Sequence, residues 1–187
     1  MTNPVIENIR ARRSIRFYEE TPVPAEAIET ILECGMLSPT ALGLQSWHFT
    51  VVRDRKLLDE ISEANRQLML QSGDPAEIEK ANEPGFDNFR HAPMAIIISG
   101  DTKSKWHVAD CANAATTMAL AAESLGLSTC YIASFRRVLA APQGADLLAR
   151  LGLPENYDPL FALSIGYKAE EPHPRKPRKE NTVNYIG

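Results

Sequence analysis

The chain has 187 residues, of which 44% are hydrophobic and 24% charged, so it is long enough to bury a core and too apolar to be intrinsically disordered. Twenty Lys and Arg stand against 24 Asp and Glu, and the net charge of −4 excludes a generally basic nucleic-acid binder. No apolar run is long enough for a membrane span, and the N-terminus is too polar for a signal peptide. These features predict one soluble, cytoplasmic domain over residues 1–187.

Hydrophobic periodicity predicts helices and strands that alternate along the chain. Apolar residues at three- and four-residue spacings favour helices, and short aromatic or β-branched runs favour strands. The predicted helices are residues 4–13, 25–37, 56–70, 106–125 and 143–151. The predicted strands are residues 47–53, 94–100, 128–134 and 160–167. This order indicates an α+β or α/β domain of about four strands, and the charged, Pro-rich residues 170–187 predict an extended C-terminal tail.

Two segments differ from this regular alternation. Residues 71–92 are polar and contain Gly and Pro at several positions, so we expect a surface excursion or a lid. The helix over residues 106–125 holds seven alanines, and Gly126 is expected to end it. Small side chains let another backbone approach closely, so we expect this helix at the middle of the molecule or at a subunit interface.

Cysteine, histidine and glycine form none of the common binding motifs. Cys34, Cys111 and Cys130 are far apart and lie in apolar surroundings, which predicts inert buried thiols rather than a disulfide or a zinc site. The four histidines have no metal-binding spacing, so no metal site is expected. The glycines form neither a Rossmann nor a P-loop motif. No side chain stands out as catalytic.

Two basic segments can bind an anion. Arg12, Arg13, Ser14 and Arg16 place three guanidinium groups and a hydroxyl within five residues, and these are the donors that phosphate prefers. A solvated basic end of a helix is the alternative. Residues 175–179, RKPRK, considered alone, are a nucleic-acid patch, a targeting signal or a solubilising tail. The two segments could also converge on one phosphate.

The loop over residues 38–49, SPTALGLQSWHF, is the third candidate site. A Pro-Thr turn, a glycine and a glutamine precede an aromatic strand, which allows close backbone approach and supplies amide donors for an uncharged polar ligand. A helix-to-strand loop with Trp47 and Phe49 in the core is the structural alternative, and the two interpretations are compatible.

These segments together resemble one enzyme family. RRSIR near the N-terminus, the 38–49 loop, a small-residue helix leading into GLSTCYI, and the terminal PRKPR occur in the order typical of the nitroreductase family of FMN-dependent oxidoreductases. The chain resembles a short member of that family over nearly its whole length. The resemblance implies an α+β, three-layer sandwich with a central, mostly antiparallel sheet of about four to five strands flanked by helices. It also implies an intertwined homodimer whose two sites are each built from both subunits.

The resemblance implies an FMN bound at each site. Its phosphate and ribityl chain are expected to contact Arg12, Arg13, Ser14, Arg16, Lys176 and Arg178. From the other subunit, the flavin is expected to be lined by Pro39, Thr40, Ala41, Gly43 and Gln45. The segment expected along the isoalloxazine ring, where a backbone N–H typically reaches flavin N5, is Tyr131, Ile132, Ala133 and Ser134. Asn82 and Asn88 are the candidates for the mid-chain polar side chain that often touches the ring.

The chain also departs from the family pattern. Many members have Asn at the position of Gly43, Pro at Ser46 and Glu at Ala133, which changes the hydrogen bonding to the cofactor and the access to it. The 71–92 segment is shorter than in the larger members, so the substrate lid is expected to be open.

The implied reaction passes hydride from NADPH or NADH through flavin N5 to a nitroaromatic, a quinone or a similar conjugated small-molecule acceptor. By analogy, Arg16 would stabilise the negative charge of the reduced flavin. Ferredoxin is the alternative electron donor. The alternatives are a non-catalytic flavin-binding or regulatory protein, and a reductive dehalogenase or flavin-fragmenting enzyme of the same fold. A nucleic-acid partner is disfavoured by the acidic net charge, and no membrane partner is expected.

Overall fold

The structure is a computed structural model that describes residues 1–172 and 174–187. Its helices are α1 (Pro4–Ala11), α2 (Ala25–Met36), α3 (Arg55–Leu70), α4 (Pro75–Ala81), α5 (His107–Ser124), α6 (Arg136–Leu139) and α7 (Ala145–Arg150). Its strands are β1 (Trp47–Val52), β2 (Met94–Asp101), β3 (Ser128–Ile132) and β4 (Tyr157–Gly166). Short 3-10 turns occur at Ala41–Gly43 and Pro142–Gly144. Each helix and strand that the sequence predicts is present.

The four strands form one antiparallel sheet in the order β1-β2-β4-β3. The apolar strand β2 lies in the middle and is buried along nearly its whole length. Strand β4 begins earlier than the sequence predicts, at Tyr157, and its register to β2 shifts between Ile98 and Ser99. Pro159 lies at this bulge, where a strand tolerates a residue that donates no ladder hydrogen bond. Strand β3 is left at an edge of the sheet.

Helices cover both faces of the sheet and give three layers. On one face, α2 and α5 pack on Ile96 and Leu163, and on the other face, α3, α6 and α7 pack on Ile97 and Ala162. Successive side chains of β2 point into the two different cores, because side chains alternate between the two faces of a sheet along a strand. The predicted α+β sandwich with about four strands is confirmed.

Helix α5 lies in the centre of its layer, as its small residues predict. Ala114, Ala115 and Met118 of this helix are fully buried. The close neighbour is α2, since a Cβ atom placed on Gly35 would lie only 2.8 Å from Cγ of Met118. Gly35 therefore lets the two helices pack at short distance.

The expectation of a surface excursion over residues 71–92 needs two corrections. Pro75 does not break structure there but begins α4, with Asp74 as its N-cap, because proline is well tolerated in the first helical turn. The end of the segment is buried: Phe89 is fully buried, and Asp87 and Asn88 are 4% and 3% exposed. Most of residues 71–86 lie at the surface as expected, whereas residues 87–89 join the core.

Smaller corrections concern the ends of strands and one thiol. Strand β3 ends at Ile132 and not at residue 134, because the chain turns into α6, where the N–H of Arg136 donates to the carbonyl of Ala133 at 3.2 Å. Cys34 is half-buried, whereas Cys111 and Cys130 are buried as predicted, and all three are free thiols. In the described part of the chain, no helix is long and apolar enough to cross a membrane.

Replacing Gly35 with Val tests the close packing of α2 on α5. The new side chain must displace the buried Met118, and we expect the free energy of unfolding to fall by about 1–3 kcal/mol, as overpacked cores do. Urea denaturation measures the change. In a Met118→Ala background the same substitution has room, so the loss should shrink. An equal loss in both backgrounds would contradict this packing.

Candidate functional site

The segment after α1 runs along the free edge of β3. The N–H of Ile15 donates to the carbonyl oxygen of Thr129 at 2.9 Å, and Ser14 forms an isolated parallel bridge with the same residue. Two residues further along, the carbonyl oxygen of Phe17 accepts a hydrogen bond from the N–H of Ala169 at 3.0 Å. The segment is thus fixed at both ends, between the edge strand and the chain that leaves β4.

The C-terminal tail returns to this segment. One guanidinium nitrogen of Arg175 donates to the carbonyl oxygens of Arg10 and Arg12, at 2.5 and 2.6 Å. These carbonyls lie at the C-terminal end of α1, where backbone acceptors have no partner within the helix. Between the two segments lies a cleft of about 640 Å³. Its polar walls include the six predicted phosphate and ribityl contacts, namely Arg12, Arg13, Ser14, Arg16, Lys176 and Arg178.

Positive charge is concentrated around this cleft. The pKa of the Arg175 guanidinium is lowered, first by desolvation and then by the charges of Arg13, Arg12 and Arg178. Carboxyl groups of Glu170, in the cleft wall, and Glu123, near Arg12, offset part of this charge. Cations that repel one another inside a cleft favour an anion there, because the anion relieves their repulsion.

A second cavity, of about 350 Å³, lies at the far end of β3 and reaches Ser134. Asn65 of α3 and Asn88 both line it, and they are only 1% and 3% exposed. The Nδ2 atom of Asn88 donates to Oγ of Ser134 at 2.7 Å. The Oδ1 atoms of both asparagines lack a hydrogen-bond partner among the described residues. Since buried polar atoms are normally paired, these two acceptors are an exception within the described core.

The buried carboxylate of Asp87 fixes the segment between α4 and β2. It accepts hydrogen bonds from Oγ of Ser62 at 2.6 Å, from the backbone N–H groups of Phe89 and His91 at 2.9 and 2.5 Å, and from Nη2 of Arg55 at 2.6 Å. Burial alone raises the pKa of this carboxyl, but the hydrogen bonds and the Arg55 charge outweigh burial and hold the pKa below its ordinary value. The carboxylate is therefore ionised, and its acceptor positions are filled.

A second buried carboxylate, Asp110 in the first turn of α5, holds the loop before β1. It accepts hydrogen bonds from the N–H of Ala41 at 2.9 Å and from Oγ of Ser46 at 2.6 Å. Asp110 is 1% exposed. The side chain of Asn113, one turn later, donates to the carbonyl of Pro39 at 3.1 Å. The start of α5 therefore sets the shape of this loop.

The loop that Asp110 holds has a strained backbone. Leu42, Gly43 and Gln45 have φ angles of 55°, 68° and 49°, in the left-handed region. For a residue other than glycine this conformation costs about 1–3 kcal/mol and is enriched at functional sites. The Oγ of Thr40 accepts from the N–H of Gln45 at 3.3 Å. Among the described residues, those of the 39–45 loop do not line the arginine cleft of their own chain.

The remaining predicted residues lie at the end of β3. Tyr131 is 41% exposed and packs its ring on Phe161 at 5.0 Å between centroids. The Ile132 side chain points into the core, while Ala133 is exposed where the chain leaves the sheet. Asn82 does not line the cavity that Asn65 and Asn88 share, and its Nδ2 donates to the carbonyl of Ile78 at the end of α4.

Sequence reasoning missed three buried polar residues, namely Asn65, which lines the second cavity, Asp87, which fixes the segment before β2, and Asp110, which holds the 39–46 loop. Asn65 was detectable, because it follows Ile61 by four residues on the apolar face of α3. Asp110 was also detectable, as a charged residue on the buried side of the alanine-rich helix. A polar side chain in an apolar stripe needs partners, and that need points to the loops around it.

Comparison with known proteins identifies the family. The model of the nitroreductase family matches residues 9–167. This chain belongs to the nitroreductase family. A relative in Methanothermobacter thermautotrophicus, provisionally named an NADH dehydrogenase/NAD(P)H nitroreductase, is 33% identical over 176 residues, which cover 91% of this chain and 81% of the relative. The FMN reductase (NADPH) of Bacillus subtilis is 30% identical over 97% of this chain and 75% of its own length.

A solved nitroreductase has the same fold. The crystal structure of a nitroreductase with bound FMN from Bacteroides fragilis matches with a TM-score of 0.92 and 34% identity, over 100% of both chains. The family resemblance and the sandwich fold that the sequence predicts are therefore confirmed.

Replacing Asp110 with Ala tests its hold on the 39–46 loop. The Ala41 N–H and the Ser46 hydroxyl lose their acceptor, and we expect the free energy of unfolding to fall by about 2–4 kcal/mol. The Ala41 amide should also exchange faster with deuterium. Ser46→Ala removes only one of the two bonds and should cost about 1 kcal/mol. Equal losses for the two variants, with an unchanged amide, would rule out this role.

Proposed function

We propose that this nitroreductase-family protein binds FMN, takes hydride from NADPH or NADH, and passes the electrons to a nitroaromatic, a quinone or another conjugated small molecule. The observation that carries this proposal is the cleft beside β3, in which guanidinium groups from both ends of the chain converge. Guanidinium groups bind phosphate through paired, charge-assisted hydrogen bonds.

The residues present fit FMN at both ends of β3. The arginine cleft, with the Ser14 hydroxyl, suits the phosphate and the ribityl hydroxyls. The cavity at the other end, which Asn65, Asn88 and Ser134 line, offers amide and hydroxyl side chains that suit the polar edge of a ring system. Thr129 lies beside the cleft, and Ser134, five residues later, lies beside the asparagines. At the rise of a strand these two positions are at most about 16 Å apart. A phosphate, a five-carbon chain and three fused rings span a distance of this order.

FMN supplies the redox chemistry when bound, and the protein supplies position and charge. Arg16 is close enough to Cys130 and Tyr18 that its positive charge lowers the pKa of both groups, although burial is the larger effect and raises them. The same charge favours an anionic ligand at this edge of the sheet. Ala133 and Ser134 are exposed, so a flat ring against them keeps one face open to a nicotinamide or an acceptor.

We further infer that the active form is a homodimer in which the 39–45 loop of one subunit lines the FMN site of the other. The loop exposes Leu42 and Leu44 by 89% and 52%, although Asp110 holds its backbone in a fixed and strained shape. Helix α1 exposes Val5 and Ile9, and the tail exposes Tyr185. The proposed dimer requires these side chains to adjoin at one surface, since contiguous apolar patches and not scattered residues mark subunit interfaces.

The function is tested with purified protein and FMN. The bound flavin should show its visible absorbance, which NADPH or NADH should bleach in the absence of oxygen. A protein that takes up no FMN would overturn the proposal. A yellow protein that neither nucleotide bleaches would instead favour the non-catalytic flavin-binding alternative or a different electron donor.

Arginine substitutions test the cleft. Arg12→Ala and Arg16→Ala should each weaken FMN binding by roughly 10- to 100-fold, since a charged hydrogen bond contributes about 1.5–3 kcal/mol. Arg10→Ala is the matched control, because it removes the same charge from an exposed side chain that is not part of the cleft wall. Fluorescence titration with FMN measures the affinities. Equal weakening in all three variants would mean that net charge alone attracts the flavin.

A charge in the exposed loop tests the dimer. Leu42→Asp places a carboxylate on an 89% exposed side chain, so the folded chain tolerates it, but an apolar interface does not. Light scattering should show two chains for the wild type and one for the variant, and the variant should bind FMN more weakly. Dimers of unchanged stability in the variant would contradict the inferred role of the loop.

A further inference from the structure

We infer that Ser62 and Asp87 are positioning residues for the flavin site, which set the place of Asn88 and, through it, of Ser134. This inference rests on the proposed function, because it concerns the ring end of the same site. Ser62 and Asp87 are both 4% exposed, and neither lines the cavity in which Asn88 and Ser134 meet. They can therefore act on a ligand in that cavity only indirectly, and Asn88 is the lining residue to which Ser62 is hydrogen-bonded and Asp87 is adjacent in the chain.

A single hydroxyl joins α3 to the backbone of Asn88. Oγ of Ser62 donates to Oδ1 of Asp87 at 2.6 Å and accepts the N–H of Asn88 at 3.1 Å. The same Oδ1 accepts the N–H of Phe89 at 2.9 Å. The Asn88 backbone is thus held from α3 on one side and by the preceding carboxylate on the other.

The rest of the segment needs this restraint. Arg90 and His91 have φ angles of 61° and 53°, which cost about 1–3 kcal/mol each outside glycine. The Asp87 carboxylate offsets this strain by accepting the N–H of His91. Further restraints come from Ser164, whose Oγ donates to the carbonyl of Phe89 at 2.7 Å, and from Arg55, whose Nη1 donates to the carbonyl of Ala92 at 3.1 Å.

The side chain that results is fixed and yet incompletely bonded. The Nδ2 of Asn88 donates to Ser134 at 2.7 Å, while its buried Oδ1 has no partner among the described residues. Strain and a buried, unpaired acceptor on one segment are unfavourable for the folded chain alone. They are typical of a segment that is arranged in advance for a ligand, which lowers the entropy that binding must overcome.

The test is a double-mutant cycle on FMN affinity. Ser62→Ala removes both bonds of the hydroxyl, and Asn88→Ala removes the side chain that the hydroxyl positions. Each single variant should weaken FMN binding about 5- to 20-fold, which corresponds to the loss of about one hydrogen bond to the ligand. If Ser62 acts through Asn88, the double variant should be no weaker than Asn88→Ala. Fully additive losses would overturn the inference, since Ser62 would then act by another route.

Conservative variants separate positioning from simple stability. Ser62→Thr keeps the hydroxyl and should restore the wild-type FMN affinity, whereas a loss equal to that of Ser62→Ala would count against the inference. Asp59→Asn is the control on the same helix, since it removes the exposed ion pair with Arg55 at 2.5 Å and leaves the bonds of residues 87–92 in place. Its FMN affinity should be unchanged.

Asp87→Asn should weaken FMN binding at least as much as Ser62→Ala. If Asp87→Asn does not fold, the Ser62 variants alone test the inference. A wild-type protein that binds no FMN would overturn the proposed function itself. If the wild type binds FMN and Ser62→Ala binds it with the same affinity, only this inference is overturned.

Discussion

The hydrogen bond from the Ile15 N–H to the Thr129 carbonyl determines where the candidate site lies. The strand order leaves β3 at an edge of the sheet, and an uncovered edge invites pairing with other chains. The segment after α1 covers that edge and thereby places its arginines beside it. Arg175 then ties the tail to the end of α1, and the second group of cations arrives at the same cleft. The segment after α1 therefore both covers the exposed edge of the sheet and forms one wall of the candidate binding cleft.

The two ends of β3 carry different polar groups that the described chain leaves unbalanced. At one end positive charge is in excess, and the pKa of Arg175 is lowered first by desolvation and then by the charges of its arginine neighbours. At the other end, the buried Oδ1 atoms of Asn65 and Asn88 have no hydrogen-bond donor among the described residues. Both features are unfavourable for the isolated chain, and local departures of this kind concentrate at functional sites. An anionic ligand relieves the repulsion among the cations, and it stabilises the folded state by the free energy of its binding.

Local sequence patterns predicted most of the helices and strands, whereas the positions of the site residues depend on hydrogen bonds between distant parts of the chain. The spacing of apolar residues found α2 and α5, and the apolar run found β2, because each signal lies within its own element. Helix α4 was missed because Pro75 suggests a break, although Asp74 makes it a helix start. The buried position of Asp87 could not be predicted, since Ser62 and Arg55, its partners, precede it by 25 and 32 residues. The basic segments were found as motifs, but only the fold shows that they share a cleft.

The cleft joins residues from opposite ends of the chain. Arg12 and Arg16 lie near one end of the sequence, whereas Lys176 and Arg178 lie about 160 residues further along the chain. The cleft is complete only when β4 has joined the sheet and Arg175 has bound the carbonyl oxygens at the end of α1. An anion that needs both groups of cations therefore binds the folded chain and neither segment alone, so that its binding reports on the folded state.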